Sequence, residues 1–229
     1  GDTMYLAACT KGANAKSIRK QPFSNIPAKQ RAFSLKSSYM SAFARRVIDR
    51  QLIPSLFNVD ELKSKTTLQL LQERFAPYIG KRVSEIAKLV DIPVTKNKAF
   101  NANLISAVLG VKGTKLESLR EFSKANIKFK TIRLEPTGIP KEHMSFEQID
   151  FHRWVNDAWE DSQLYEKFEY TKYLFVVFQY DETEKENKNR EPYLKGIMLW
   201  NMPEVVIEHE LKELWKTTKA ILEEGVQLT

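Results

Sequence analysis

The chain has a single cysteine, Cys9, and only three histidines, His143, His152 and His209, among 229 residues. One thiol excludes an internal disulfide framework, and histidines so widely spaced form no local metal-ligand motif. No apolar run reaches the roughly eighteen residues of a membrane-spanning helix. The N-terminus shows no signal-peptide succession of charged, apolar and small residues. These absences predict a soluble, cytoplasmic protein with no structural zinc and no membrane partner.

Acidic residues are also scarce where basic ones gather. Residues 1–50 hold five lysines (11, 16, 20, 29, 36) and five arginines (19, 31, 45, 46, 50) against Asp2 and Asp49 alone. The net charge of the whole chain is +7, so the remainder is close to neutral. A basic block beside a near-neutral body points to a polyanion, because clustered Lys and Arg displace counterions from phosphates. The plainer alternative is a solvated tail. With 42% hydrophobic residues the chain is long enough to bury at least one full core.

In the first segment, residues 4–9 (MYLAAC) read as a short strand and TKGANAKS as a loop with backbone and lysine donors. QPFSNIPAKQ carries two prolines and is expected to be irregular. AFSLK (32–36) follows as a strand, and SSYMSAFARRVIDRQL as a helix with Tyr39, Phe43 and Val47 on one face. Residues 51–65 read as a linker between a basic segment, 1–50, and a second domain, 66–229.

That domain begins helical. Leu68, Leu71 and Phe75 recur at helical spacing up to Pro77, and Val83, Ile86 and Val90 do so before Pro93. NANLISAVLG and LESLREFSK add two short helices. The period then changes: in IKFKTIRL (127–134), Ile127, Phe129 and Thr131 alternate with Lys128, Lys130 and Arg133, a strand with a buried and a basic face. HMSFEQIDF reads as extended, and WVNDAWEDSQLYEKFE as an aromatic-rich helix bringing Trp154 and Trp159 to the core. TKYLFVVFQYD and PYLKGIMLW form an antiparallel hairpin around a polar tip, and a helix opened by Pro203 closes the chain. The order of elements predicts an α/β (α+β) domain with a mixed sheet flanked by helices.

Two patterns bear on chemistry. The helices around Asn101, Asn103 and Ser106 permit a helix-turn-helix reading, but the turn is long and the second helix lacks arginine, so a core helix pair explains them as well. The strand at 127–134 is more informative. Metal-dependent nucleases commonly set an acid, then Glu-x-Lys, at the end of a core strand, with the acids holding Mg²⁺. Here Glu121 precedes Lys128-Phe129-Lys130, so lysine stands where the second carboxylate belongs. One acid against two ammonium groups disfavours a divalent cation and favours phosphate. An ordinary amphipathic strand would look the same.

YLAACTKGANAKSIR and QRAFSLKSSYMSAFARR resemble the DNA-recognition region of the MutH family and of GATC-specific type II restriction endonucleases related to it, over residues 4–45. HMSFEQIDF, DAWEDS, the FVVF strand and the NMPE helix start extend the resemblance through residues 59–228. It implies a restriction-endonuclease-like, MutH-like core. In such enzymes two MutH-like domains stand in tandem, the first cutting and the second serving as an allosteric effector at another GATC site. On this resemblance Lys11 matches the lysine that contacts the GATC bases, although Cys9 and Thr10 depart from the Arg-Pro that precedes it in MutH. Glu121, Lys128 and Lys130 fall on the catalytic acid, glutamate and lysine, and Ser106 near the helical glutamate, so the site is expected to be catalytically degenerate, with no metal of its own.

The resemblance places the cutting domain's acid strand before residue 1 and the effector's KGANAK counterpart after Thr229, which implies a piece of a longer bacterial enzyme. The leading expectation is a DNA-binding effector with Lys11, Lys16, Arg19, Arg31, Lys36, Lys128 and Lys130 as contacts, and Mg²⁺ needed only by the full-length enzyme. Its expected partners are GATC duplex and the parent's catalytic domain, with a homo-oligomer or segment exchange covering Phe33, Leu35, Tyr39 and Phe43. A live Mg²⁺-dependent endonuclease, using Glu121 with Asp150 or Glu147, and a dimerisation scaffold that touches no DNA are the alternatives.

Overall fold

The computed structural model describes residues 6–11, 17–35, 37–48, 54–97 and 99–225. Strands β1 (Leu6–Thr10), β2 (Ile18–Gln21), β3 (Ser24–Lys29) and β4 (Arg31–Leu35) come first. Helices α1 (Ser37–Ile48), α2 (Val59–Ser64), α3 (Thr67–Phe75), α4 (Val83–Leu89), α5 (Phe100–Val108) and α6 (Arg120–Lys124) lead into β5 (Ile127–Leu134). Then follow α7 (Phe151–Asn156), α8 (Gln163–Glu169), β6 (Lys172–Gln179), β7 (Tyr193–Trp200), α9 (Glu204–Val206) and α10 (Lys212–Glu223). Among the described residues no helix is long and apolar enough to cross a membrane.

The chain divides into two compact units that interleave in sequence, and they cut across the division drawn at 51–65. One gathers residues 1–40, 147–171 and 201–229, the other 41–146 and 172–200. Within 51–65, residues 51–53 lie outside the described ones, and the rest is not a bare linker. Asn58 accepts from the Glu61 backbone N–H while Glu61 accepts from that of Asn58, a reciprocal cap that starts α2.

The larger unit carries a mixed sheet in the order β5-β6-β7, parallel between β5 and β6 and antiparallel between β6 and β7. Ile127, Leu174, Val176 and Phe178 on one face meet Leu71, Phe75, Ile86, Leu104, Leu109 and Phe122 from the helices. Helix α5 is buried over Leu104–Val108 and joins this core. A recognition helix needs an exposed face for the groove, so the structure favours the core reading of that pair. In β5 strict alternation puts Arg133 on the Ile127 and Phe129 face, not with Lys128 and Lys130 as its charge suggested. Its guanidinium turns out to Glu142, at 2.5 Å.

The second unit holds the smaller strands and an aromatic cluster. The predicted continuous helix over residues 154–169 is three pieces: α7, a 3-10 turn at Trp159–Asp161, and α8. Asp150 and Ser162 each accept a backbone N–H of the turn that follows, from Arg153 at 3.1 Å and Tyr165 at 3.2 Å. Such short polar side chains favour caps over helix interiors, so they split the run. Trp159 packs on Tyr165 and Trp215 at ring separations of 5.4 and 5.7 Å. The Trp154 indole N–H donates to the Trp215 carbonyl at 3.1 Å.

QPFSNIPAKQ is not irregular. It supplies the turn Pro22-Phe23 and β3, which pairs antiparallel with β2. Pro27 is tolerated because the register shifts between Arg19 and Gln21, leaving it out of the paired positions Lys29, Ala28 and Ser24.

Candidate nucleic-acid interface

Two groups of the candidate residues fall in the two units, and each has its own geometry. In the first unit β1 and β4 pair from Leu6 with Leu35 to Thr10 with Arg31. The Lys11 N–H then donates to the Gln30 carbonyl at 2.8 Å, and the Gln30 N–H to the Ser17 carbonyl at 3.1 Å. These two bonds join the β1-β4 ribbon to the β2-β3 ribbon and fix the Lys11 backbone at the junction, with its side chain exposed. Arg19 and Arg31 are exposed on β2 and β4. Lys16 and Lys36 lie outside the described residues.

The base of the β2-β3 ribbon is tied down by Lys29, whose ammonium meets Glu160 at 2.5 Å. Burial works against the Glu160 carboxylate, yet the Lys29 hydrogen bond, with its own backbone N–H and the charges of Lys29 and Lys212, holds its pKa below the usual value. Phe33, Leu35, Phe43 and Val47 are exposed, Phe33 to 90%. Tyr39 is half-buried.

In the larger unit Lys128 and Lys130 share one face of β5, set by the parallel register beside Tyr173 and Phe175. The Lys130 ammonium donates to the Ser145 carbonyl at 2.7 Å and stands 4.9 Å from the centre of the Phe146 ring. A cavity of about 480 Å³ opens here, between Lys130–Arg133 and the returning stretch Pro140–Ser145. Farther along β5 that stretch closes on the strand, the Lys141 N–H donating to the Arg133 carbonyl at 2.8 Å.

Glu121 is buried at 4% exposure in α6. Its carboxylate accepts the Leu56 backbone N–H at 2.9 Å and the Ser55 hydroxyl, one on each oxygen. Ser106 is buried too, its hydroxyl donating to the Ala102 carbonyl at 2.9 Å and lying 3.0 Å from that of Thr114. Glu147 pairs with Lys167, and Asp150 caps α7. Among the described residues no group of three or more His, Cys, Asp or Glu side chains stands where a metal ion could be held. Mg²⁺ takes carboxylate oxygens and phosphates as ligands, and both Glu121 oxygens are engaged by protein donors.

Residues 113–214, which include β5, β6 and β7, match the family model described as DNA mismatch repair enzyme MutH. The whole chain is 36% identical over 241 residues to the type II restriction enzyme Sau3AI of Staphylococcus aureus. By these two matches the chain is similar to MutH-like restriction endonucleases. It spans 48% of the length of that curated relative. The mixed sheet with helices packed on it fits a MutH-like core, and here β5 carries Lys128 and Lys130. The β2-β3 ribbon also presents Lys20 and Phe23, which were not among the candidate contacts. A signal existed: two polar-apolar stretches separated by the two residues Pro22-Phe23 are hairpin spacing.

Proposed function

We propose that the chain is the DNA-binding effector portion of a type II restriction endonuclease that recognises GATC, and that it lacks a complete Mg²⁺ site of its own. The observation that carries the reading is the state of Glu121: the one acid left at the family's catalytic positions is committed to Ser55 and Leu56, with lysines at 128 and 130. A strand end with two ammonium groups and a cavity beside Lys130 suits a phosphodiester and not a metal. In the other unit Lys11, Arg19 and Arg31 are exposed cations, in an acid-free sequence that also contains Lys16 and Lys36. Occupancy would promote cleavage by a catalytic domain of the longer enzyme, which is where Mg²⁺ would act, and by reciprocity a bound cleavage site would tighten effector binding.

The test is fluorescence anisotropy of a labelled GATC duplex against a scrambled one, in EDTA, across a salt series. Tighter binding to GATC without metal supports the effector reading. With roughly six phosphates neutralised, log affinity falls against log salt with a slope near about −5. A slope near zero, or Mg²⁺-dependent nicking of GATC plasmid by the isolated chain, overturns it, the latter in favour of a live endonuclease. Absence of any mobility shift at low salt would leave the dimerisation scaffold.

A further inference from the structure

We infer that the β2-β3 ribbon enters the major groove of duplex DNA tip first, with Phe23 against base edges and Arg19 and Lys20 on the flanking phosphates. The inference rests on the DNA-binding reading above and adds the element that inserts, the groove it occupies and the side chain at its tip.

The ribbon is exposed on both of its faces. Every residue from Ile18 to Pro27 is exposed, Phe23 fully so, with Ile26 at 74% and Ile18 at 56%. A two-stranded ribbon with no covered face has no core of its own, so something must hold it and something must occupy it. What holds it is on its base: Ala28 and Lys29 are half-buried, Lys29 is bonded to Glu160, and Gln30 bridges Ser17 and Lys11. The Gln21 side-chain amide donates to the Ile26 carbonyl across the ribbon at 2.7 Å, and Ser24 accepts the Ile26 N–H at 3.1 Å, which shapes the far end around Phe23. The result is an anchored base and an organised, uncovered tip.

Charge decides what occupies it. No Asp or Glu occurs between Asp2 and Asp49, whereas Arg19 and Lys20 are adjacent exposed cations on β2, at the point where its register with β3 shifts. Neither side chain makes a hydrogen bond or ion pair among the described residues. A protein surface able to cover Phe23, Ile26 and Ile18 would have to be both apolar and strongly acidic. The major groove offers that arrangement by construction: it is wide enough for a two-stranded ribbon, has phosphates along both walls, and shows thymine methyl groups on its floor as apolar contacts for a side chain such as Phe. Arg19 and Lys20 supply two adjacent cations for the phosphates of the walls, and Ser24 and Asn25 beside the tip supply polar groups for base edges.

The test uses the whole chain and duplexes in which thymines are replaced one at a time by 5-iodouracil, whose iodine occupies the methyl position in the major groove. After irradiation, the expected result is a crosslink mapped to the peptide containing Phe23, lost in Phe23→Ala. Arg19→Gln with Lys20→Gln is expected to flatten the salt slope by about 2, since each phosphate contact contributes about 0.9. Circular dichroism and melting of both variants must match the parent, and the tip's exposure makes that the expected outcome. If the duplex binds as tightly as before, the slope is unchanged and no ribbon crosslink forms, the inference is overturned while the DNA-binding reading stands. If no duplex binds at all, both fall. A concentration-dependent dimer abolished by Phe23→Ala, with no crosslink, would assign the ribbon to a second copy of the chain and overturn the groove.

Discussion

The Glu121 carboxylate and the Leu56 backbone N–H stand 2.9 Å apart in the buried part of the larger unit. With the Ser55 hydroxyl on the other oxygen, this acid closes the entry of the chain at residues 54–57 onto α6, where the Arg120 N–H also donates to the Pro54 carbonyl at 2.9 Å. These bonds tie the two segments together. Glu121→Ala is therefore expected to cost about 1–3 kcal/mol, because it leaves a buried N–H unsatisfied. Urea unfolding would read the loss, and duplex affinity of the folded variant should be unchanged. A drop in DNA binding or nicking at unaltered stability would instead make Glu121 part of an active site.

If the chain is the effector proposed above, a carboxylate placed at position 128 should not make it cut. Lys128→Glu recreates Glu-x-Lys with Lys130, but Glu121 remains spent on Ser55 and Leu56, so Mg²⁺ still lacks its second acid. The expected outcome in a plasmid assay with Mg²⁺ is no nicking, together with weaker duplex binding from the lost cation. Nicking by this single variant would mean that the Glu121 carboxylate is easily released.

The anchor of the ribbon should loosen in acid. Glu160 has its pKa lowered in the folded protein, so the Lys29 pair contributes stability above the unfolded carboxylate value of about 4.3 and loses it as pH falls through the lower folded value. Amide exchange at Gln30 and Lys11, corrected for the intrinsic rate, is expected to accelerate over that window. Glu160→Gln should remove the pH dependence and weaken protection at neutral pH.

A second ion pair locks the far end of the sheet. Arg190 meets both oxygens of Glu135, at 2.5 and 2.6 Å, donates to the Glu182 carbonyl at 2.6 Å, and lies 4.0 Å from the centre of the Tyr180 ring. The Arg190 hydrogen bond holds the Glu135 pKa down. Arg190→Lys keeps the charge but loses the planar fork and the stacking, so its melting temperature is expected to fall below the parent's with duplex affinity unchanged. Equal melting temperatures would show that the pair is merely a surface contact.

Periodicity was enough for the larger elements. Strands β5, β6 and β7, the helices at 67–75, 83–89 and 100–108 and the closing helix stand where apolar spacing put them, because packing onto one core imposes the same period that the sequence shows. Composition alone placed the basic segment, and the Lys128-Phe129-Lys130 pattern is a local feature that no folding was needed to see. Arg133 was put on the wrong face since its charge resembles Lys130's; strand geometry, which alternates regardless of charge, overrules that.

What the tertiary structure decided is which of these groups are already engaged. The meaning of Glu121 depends on Ser55, 66 residues earlier in the chain, arriving at its carboxylate. The ribbon around Phe23 needed a register shift to accommodate Pro27, and its base needed Glu160, 131 residues away from Lys29. A sequence reports what each side chain is able to bond; only folding brings partners within about 3 Å, the range over which a hydrogen bond or a committed carboxylate exists.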